Sequence, residues 1–339
     1  DEEACVGCGK CAETCPKALI DLVPENKKTR VQCSSKEFGK NVMSVCKAGC
    51  IGCKACEKVC RLGAIKVENN IAQIDYDKCV SCGMCLVNCP FGAISDKSQI
   101  YQVIKAIQSG EKVYAAVAPA FVGQFGPKVT PEKLRAAMKE LGFADVLEVA
   151  IGADLCAKQE AEDFLKEVPE ELPFMATSCC PAWSVMAKKL FPEYANCVSM
   201  ALTPMTLTAR LIKNHTPDAK VVFIGPCAAK KLEASRRTVR SDVDFVVTFE
   251  ELQAMFDAKG IDLTAYEAES SFHDATGAGR GYACAGGVAK AIEECINEYY
   301  PGTQVNIEHA EGLAECKKIL TLAKAGRMNG CLIEGMGCP

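Results

Sequence analysis

Cysteines two and three residues apart crowd the first 90 positions of this chain. Two runs read C-x2-C-x2-C-x3-C: Cys50, Cys53, Cys56 and Cys60, then Cys79, Cys82, Cys85 and Cys89 followed by Pro90. Spacing this close lets one loop wrap an iron–sulfur cubane with three thiolates, while the fourth cysteine of each run reaches the neighbouring cluster. The crossed scheme assigns one [4Fe-4S] cluster to Cys50, Cys53, Cys56 and Cys89, and a second to Cys79, Cys82, Cys85 and Cys60. The repeat runs past the ligands, as Cys60-Arg-Leu-Gly-Ala-Ile and Cys89-Pro-Phe-Gly-Ala-Ile. Each half then ends in a short stretch suited to a hairpin edge, Ile65–Val67 and Ala93–Ile94. Structural zinc is the alternative for any C-x2-C pair, but two full runs in this spacing exceed what a zinc site needs.

A third run comes first: Cys5, Cys8, Cys11 and Cys15-Pro16, followed by Ala18, Leu19 and Ile20. It has no partner run, and Cys33 and Cys46 stand in the gap. We read Cys5, Cys8, Cys11 and Cys46 as ligands of a third cubane, with Cys15 and Cys33 as spares or alternative ligands. The stretches Leu22-Val23-Pro24, Val31-Gln32-Cys33-Ser34-Ser35-Lys36, Gly39-Lys40, Val45-Cys46 and Gly49-Cys50-Ile51-Gly52-Cys53-Lys54 resemble the ferredoxin-like electron-transfer subunit of Rnf-type complexes. The resemblance covers roughly residues 1–95. It implies conduction of electrons, not chemistry on a substrate.

Of 24 cysteines in 339 residues, 14 precede residue 90. Disulfide frameworks suit short secreted chains, so this usage points to metal ligation in a reducing, anaerobic cytoplasm. The composition is globular, 49% apolar and 24% charged, with a net charge of −4. It carries no basic stripe for nucleic-acid phosphates, and no apolar run near the ~18 residues that would span a bilayer. The chain opens on Asp1-Glu2-Glu3 and closes on Cys338-Pro339. Trimmed ends are the expectation, which leaves targeting signals open.

The elements that must position the rest begin near Lys112. Lys112–Pro119 reads as a buried strand, and Thr130–Leu141 as a helix with Pro131 in its first turn. Phe143–Val149, Lys220–Ile224 and Phe245–Thr248 read as further strands. Helices are expected over Pro181–Leu190, Glu250–Ala258, Val288–Tyr299 and Gly312–Ala325. Alternating strands and helices argue for an α/β layered domain.

Three cysteine motifs interrupt this pattern at turns and strand ends: Thr177-Ser178-Cys179-Cys180-Pro181-Ala182-Trp183, then Gly225-Pro226-Cys227-Ala228-Ala229-Lys230-Lys231-Leu232-Glu233, then Glu334-Gly335-Met336-Gly337-Cys338-Pro339. Any one alone is most simply a buried structural cysteine. Together they read as a cluster site assembled from three loops, where thiolates beside Pro-started helices gain from the helix dipole. The motifs resemble those of the iron-only ([FeFe]) hydrogenases. The likeness continues through Gly152-Ala153-Asp154-Leu155, Gly286-Gly287-Val288 and the run from Glu311-Gly312-Leu313 to Lys318, and covers residues 111–339. It implies an H-cluster, a [4Fe-4S] cubane bridged by cysteine to a di-iron unit bearing CO, cyanide and a dithiolate.

By that resemblance Cys180, Cys227 and Cys338 match cubane ligands. The bridging cysteine of the family falls four residues past Cys338, beyond Pro339, so a truncated motif is expected. Lys230 matches the lysine that hydrogen-bonds a cyanide, Met336 a methionine beside the di-iron unit, and Pro119 and Ala120 the loop covering a diatomic ligand. Gly225 stands where most of the family has Met, and is expected to open space beside the cluster. Cys179 matches the thiol that passes protons, with Glu160, Ser199 and Asp163 continuing the relay; Asp163 replaces the usual Glu. Without the resemblance, Glu160 and Asp163 read as a solvated helix face. His215, His273 and His309 match no role and read as surface or satisfied core histidines. Cys156, Cys197, Cys284, Cys295, Cys316 and Cys331 read as small core hydrophobes.

The expected architecture is α/β: a hydrogenase-type catalytic domain of layered sheets flanked by helices (98–339), preceded by small α+β ferredoxin-like cluster domains (1–49 and 50–97). The expected function is reversible reduction of protons to H2, with electrons arriving through the N-terminal clusters from a ferredoxin or another redox subunit. An H2 sensor, or an iron–sulfur electron-transfer or assembly protein, is the alternative.

Overall fold

The computed structural model describes residues 4–236, 241–266, 272 and 274–338; His273 and Pro339 lie outside them. The chain divides into two units, Asp1–Lys97 and Ser98–Pro339.

In the first unit three loops trace one backbone. Each has a left-handed residue just before its second cysteine (Gly7, Gly52 and Ser81, φ 64°, 68° and 57°) and another just after it (Gly9, Lys54 and Gly83, φ 79°, 62° and 81°). Glycine adopts this conformation freely, whereas Lys54 and Ser81 hold it at a cost. Each loop feeds a short helix, Lys10–Thr14, Ala55–Val59 or Met84–Val87. A turn after the fourth cysteine follows in all three, with the amides of Ala18, Gly63 and Gly92 donating to the carbonyls of Cys15, Cys60 and Cys89. Ile65–Glu68 pairs antiparallel with Ile71–Ile74. Asn69 and Asn70 between them are both left-handed, as a two-residue hairpin turn requires. The Ile94–Asp96 strand pairs instead with Thr29–Val31, so residues on both sides of position 49 share a sheet.

The second unit is built on two parallel sheets. Val113–Val117 is buried along nearly its whole length, as a central parallel strand must be. It lies between Asp145–Glu148 and Lys220–Gly225, with Phe245–Thr248 on the far edge, all four parallel. The second sheet runs Asn306–Glu311, Cys331–Met336, Met175–Ala176, also parallel. Parallel neighbours need crossover connections, and helices supply them. Pro131–Leu141 is one; Thr130 caps it by accepting the Lys133 amide at 3.4 Å, and Gly142 ends it at φ 114°. Ala150–Glu167 instead leads from the first sheet to Met175–Ala176 of the second, and it buries a stripe of small residues that includes Gly152, Ala153, Ala157 and Ala161.

The middle strand of the second sheet is locked to the first cysteine motif. Trp183 is fully buried, and its indole N–H donates to the Thr177 carbonyl at 2.9 Å. Gly335 lies against the same ring: a Cβ there would sit 2.3 Å from Cδ2 and Cε2. Gly335→Ala is therefore expected to destabilise the unit by about 1–3 kcal/mol through overpacking. Denaturant melts against wild type measure this, and an unchanged midpoint would mean that the indole gives way at no cost.

Candidate functional site

Cys50, Cys53, Cys56 and Cys89 line one small cavity of the first unit. Cys82 and Cys85 face Cys79 and Cys60: burial pushes Cys85 up to about 12, and the charges of Cys79, Cys82 and Cys60 add to it. Burial likewise pushes Cys56 up to about 11, with Cys50 and Cys53 adding. Thiols arranged to oppose one another's ionisation become thiolates together only around a cation, and the iron of a cubane supplies that charge. The donor set fits the two crossed clusters. Cys5, Cys8, Cys11 and Cys46 are exposed, while Cys33 packs against the core that holds Cys50, Cys56, Ala93 and Ile94. Cys15, read from the sequence as a spare or an alternative ligand, has the local geometry of Cys60: the Leu19 amide donates to its sulfur at 3.4 Å, as the Ala64 amide does to Cys60 at 3.2 Å.

In the second unit, strand ends from both sheets open on one cavity of about 320 Å³. Pro119 and Ala120 follow Val113–Val117, Cys227 follows Lys220–Gly225, Cys179 and Cys180 follow Met175–Ala176, and Cys338 follows Cys331–Met336. These residues, with Lys230 and Met336, all line the cavity, and Val149, Ala153, Pro204, Met205 and Phe223 complete a mainly apolar wall. Backbone amides point at two of the sulfurs, Gly337 N–H to Cys180 at 3.2 Å and Ala229 N–H to Cys227 at 3.3 Å. Burial pushes the Cys227 thiol up to about 12, and the Cys338 and Cys180 charges push the same way. Three converging thiols with amide donors, in an otherwise apolar hollow, fit an iron–sulfur cubane. Lys230 donates to the Cys179 carbonyl at 2.8 Å and to Glu233 at 2.7 Å. Burial works against its charge, but Glu233 and the nearby thiols more than offset that and raise its pKa.

Glu160, Ser199 and Asp163 stand off the cavity wall. Glu160 is fully buried on Ala150–Glu167, which corrects the reading of a solvated helix face. Burial pushes its carboxyl up to about 7, while the Ser199 hydroxyl, the Ser178 amide and the Cys156 thiol around it work in the other direction. Neither oxygen reaches hydrogen-bond geometry with a partner among the described residues. Burial and the Glu160 charge push Cys179 well up, against Lys230. Asp163, one turn on, is half-buried and accepts the Gln159 amide at 2.9 Å.

Two expectations need correction. Gly225 does not open space beside the cavity: a Cβ there would fall 2.4 Å from the Phe223 ring, which fills the room a larger residue would take. Cys284 is not a core hydrophobe; it is exposed, in a bend rather than a helix, and lines the cavity beside Tyr282. Cys156, Cys197, Cys316 and Cys331 are buried, Cys295 is half-buried, and His215 and His309 are exposed. Tyr282, Phe223 and Glu233 escaped the sequence reading. Only Glu233 carried a signal there, as the residue three past Lys230 on one helix.

The fold and the cysteine sets define an iron–sulfur protein of hydrogenase type, an α/β unit joined to ferredoxin-like cluster loops. Residues 111–339 match the family model described as iron only hydrogenase large subunit, C-terminal domain. A 4Fe-4S dicluster domain matches at 4–64 and again at 49–93. The chain is 31% identical to iron hydrogenase 1 of Clostridium pasteurianum over 267 residues, 70% of this chain but 46% of that protein's length. It is 30% identical to the periplasmic [Fe] hydrogenase large subunit of Nitratidesulfovibrio vulgaris, over 86% of this chain and 82% of the relative. The solved apo [FeFe]-hydrogenase HydA1 of Chlamydomonas reinhardtii (variant C377H) shares the fold, with TM-score 0.61 and 23% identity over 71% of this chain and 82% of that one. Two shorter likenesses are to a component of the Na(+)-translocating ferredoxin:NAD(+) oxidoreductase complex of Acetobacterium woodii (50% over 78 residues, 23% of each chain) and to the cytosolic Fe-S cluster assembly factor NAR1 of Kluyveromyces lactis (35% over 102 residues, 30% of this chain and 22% of that one). The chain belongs to the iron-only hydrogenase large-subunit family, and its cofactors are [4Fe-4S] clusters and the family's H-cluster.

The Glu160 carboxyl has its pKa raised from 4.5 to about 7, so between those values the folded chain binds the proton more tightly than the unfolded one. Stability therefore falls as pH rises through that window. Glu160→Gln keeps the volume and removes the titration. It is expected to match wild type near pH 5 and to be more stable by about 3 kcal/mol at pH 8. Denaturation at both pH values measures this, and a gap independent of pH would show that the carboxyl ionises without penalty.

Proposed function

We propose that the chain reversibly reduces protons to H2 at an H-cluster held in the 320 Å³ cavity, with electrons supplied through the N-terminal [4Fe-4S] clusters. The observation that carries this reading is the convergence of three motif cysteines, Cys179 and Lys230 on one apolar hollow. When bound, the H-cluster supplies the di-iron site at which protons and electrons combine.

The chain's own residues hold that group and serve it with protons. Cys180, Cys227 and Cys338 would hold the cubane, and Lys230, kept charged by Glu233, would offer its ammonium to a cyanide ligand. Met336, Pro119 and Ala120 line the site with apolar surface. Cys179 delivers the proton; Glu160, Ser199 and Asp163 resupply it from outside. A carboxyl near pKa 7 is matched to this work, since it gives and takes protons with equal ease at neutral pH. A ferredoxin or another redox subunit is the electron partner, a reading supported by the likeness of residues in the first unit to a component of the ferredoxin:NAD(+) oxidoreductase complex. No helix among the described residues is long and apolar enough to cross a membrane. Separately, the cysteine usage suits a reducing compartment, and the cytoplasm is the location we propose.

The likeness to NAR1 favours a second reading, an assembly or electron-transfer protein that carries cubanes without a di-iron unit. Infrared spectroscopy separates the two. Anaerobically matured protein is expected to show sharp CO and cyanide bands that shift under H2; cubane iron without those bands supports the second reading. In the same protein Cys179→Ala is expected to keep the bands while H2 production falls about 10²–10⁴-fold, the usual worth of a positioned proton donor. Loss of the bands themselves would make Cys179 a holder of the cluster and not a proton carrier.

A further inference from the structure

Ser199 also lines a second cleft, of about 140 Å³, together with Ser178 and Ser184. Two cations share it. Lys188 donates only to the Met200 sulfur, at 3.8 Å, and no carboxylate among the described residues pairs with Lys188 or with Arg236. Burial and the Arg236 charge both lower the Lys188 pKa, so among the described residues Lys188 meets a like charge and no paired carboxylate. One carboxylate, Glu233, reaches the cleft wall, but its oxygens are engaged by Lys230 at 2.7 Å and by the Thr203 hydroxyl. The result is an uncompensated pair of cations in a concave, hydroxyl-lined space, next to the hydroxyl that faces Glu160. Solvated surface cations would need no such enclosure; a small anion would complete this one.

We propose that the cleft binds a small oxyanion of the phosphate type between Lys188 and Arg236, and that the bound anion passes protons to Ser199. In the transfer step dihydrogen phosphate gives one proton to the Ser199 oxygen as the serine's own proton moves to the Glu160 carboxylate. Monohydrogen phosphate remains and is reprotonated from bulk water. The hand-off rests on the relay reading above; the binding does not.

Titration of inorganic phosphate into the anaerobically purified, cluster-bearing chain, followed by calorimetry, tests the site. Saturable binding is expected. Lys188→Met and Arg236→Met should each weaken it at least about ten-fold, the loss of one charge-assisted bond, while Lys188→Arg should retain it. No saturable binding, or binding unchanged in both methionine variants, overturns the site. Sulfate has the same shape but no exchangeable proton near pH 7, so it should compete for the cleft without serving the relay. In matured protein, phosphate should accelerate H2/D2O isotope exchange and sulfate should suppress that gain. Binding without acceleration overturns the hand-off and leaves the site; absence of H-cluster infrared bands would sink the hydrogenase reading while the calorimetry still reads the cleft.

Discussion

Parallel strands put all their carboxyl ends on one side of a sheet, and the second unit points two such sides at the same hollow. Val113–Val117 and Lys220–Gly225 deliver Pro119, Ala120 and Cys227 from one sheet; Met175–Ala176 and Cys331–Met336 deliver Cys179, Cys180 and Cys338 from the other. Ligand sites in open α/β sheets form outside the carboxyl ends of strands for this reason. Residues far apart in the chain therefore meet without any long loop having to find its place. The helix that leads from the first sheet to the second, Ala150–Glu167, brings Glu160 close to Cys179 at the cavity.

A hollow lined with ionisable groups is costly to bury, and its neighbours are arranged to offset that cost. Lys230 and Glu233 neutralise each other, with Thr203 on the second oxygen of the carboxylate. On the same short helix Lys231 forms a buried pair with Glu251, both contacts at 2.9 Å, and Glu251 also closes the capping box with Thr248. Buried pairs of this kind add little net stability, but breaking one strands a charge, so they fix geometry. Here they fix the helix that carries Lys230. Glu334 plays the matching part in the other sheet, accepting the Gly286 and Ala289 amides at 3.2 and 2.8 Å and so tying the strand that leads to Cys338 to the start of Gly287–Tyr299.

Elements with loud local chemistry were legible in the sequence. Phe245–Thr248 and Pro181–Leu190 fall where expected, because β-branched runs and a proline-started apolar helix leave little choice. Of Ala150–Glu167 only a helix face around Glu160 and Asp163 was foreseen, since its buried stripe is made of Gly and Ala and is interrupted by Glu160. A small-residue stripe scores as neutral to any hydrophobic period, and a buried carboxyl reads as solvent-facing. Cys331–Met336 was hidden in the same way by Glu334 and Gly335, whose reasons are the distant amides and the Trp183 ring. The cysteine runs of the first unit stood out because ligand spacing is a local property, whereas Cys180, Cys227 and Cys338 stood out as ligands only through the resemblance of their motifs. Phe223 filling the space at Gly225, and Cys284 at the cavity wall, depend on packing between segments that are far apart in sequence.

The two units hold their shapes by different means. The second has a broad apolar core running from Val103 to Leu263. The first unit's core is a handful of residues, and two of them, Cys50 and Cys56, are themselves candidate ligands. Against that small core stand loops whose left-handed residues include Lys54, Ser81 and Ala18, each lacking the freedom of glycine. Strained backbone of this sort persists only where its surroundings over-determine it. With little apolar surface to do so, we propose that bonds from thiolate to iron supply the constraint, so that ligation and folding would be coupled in this unit. On that proposal the triple recurrence of the loop geometry, Cys15 included, has a single physical cause: each copy would be the shape that a chain takes when three of its cysteines close on one cubane.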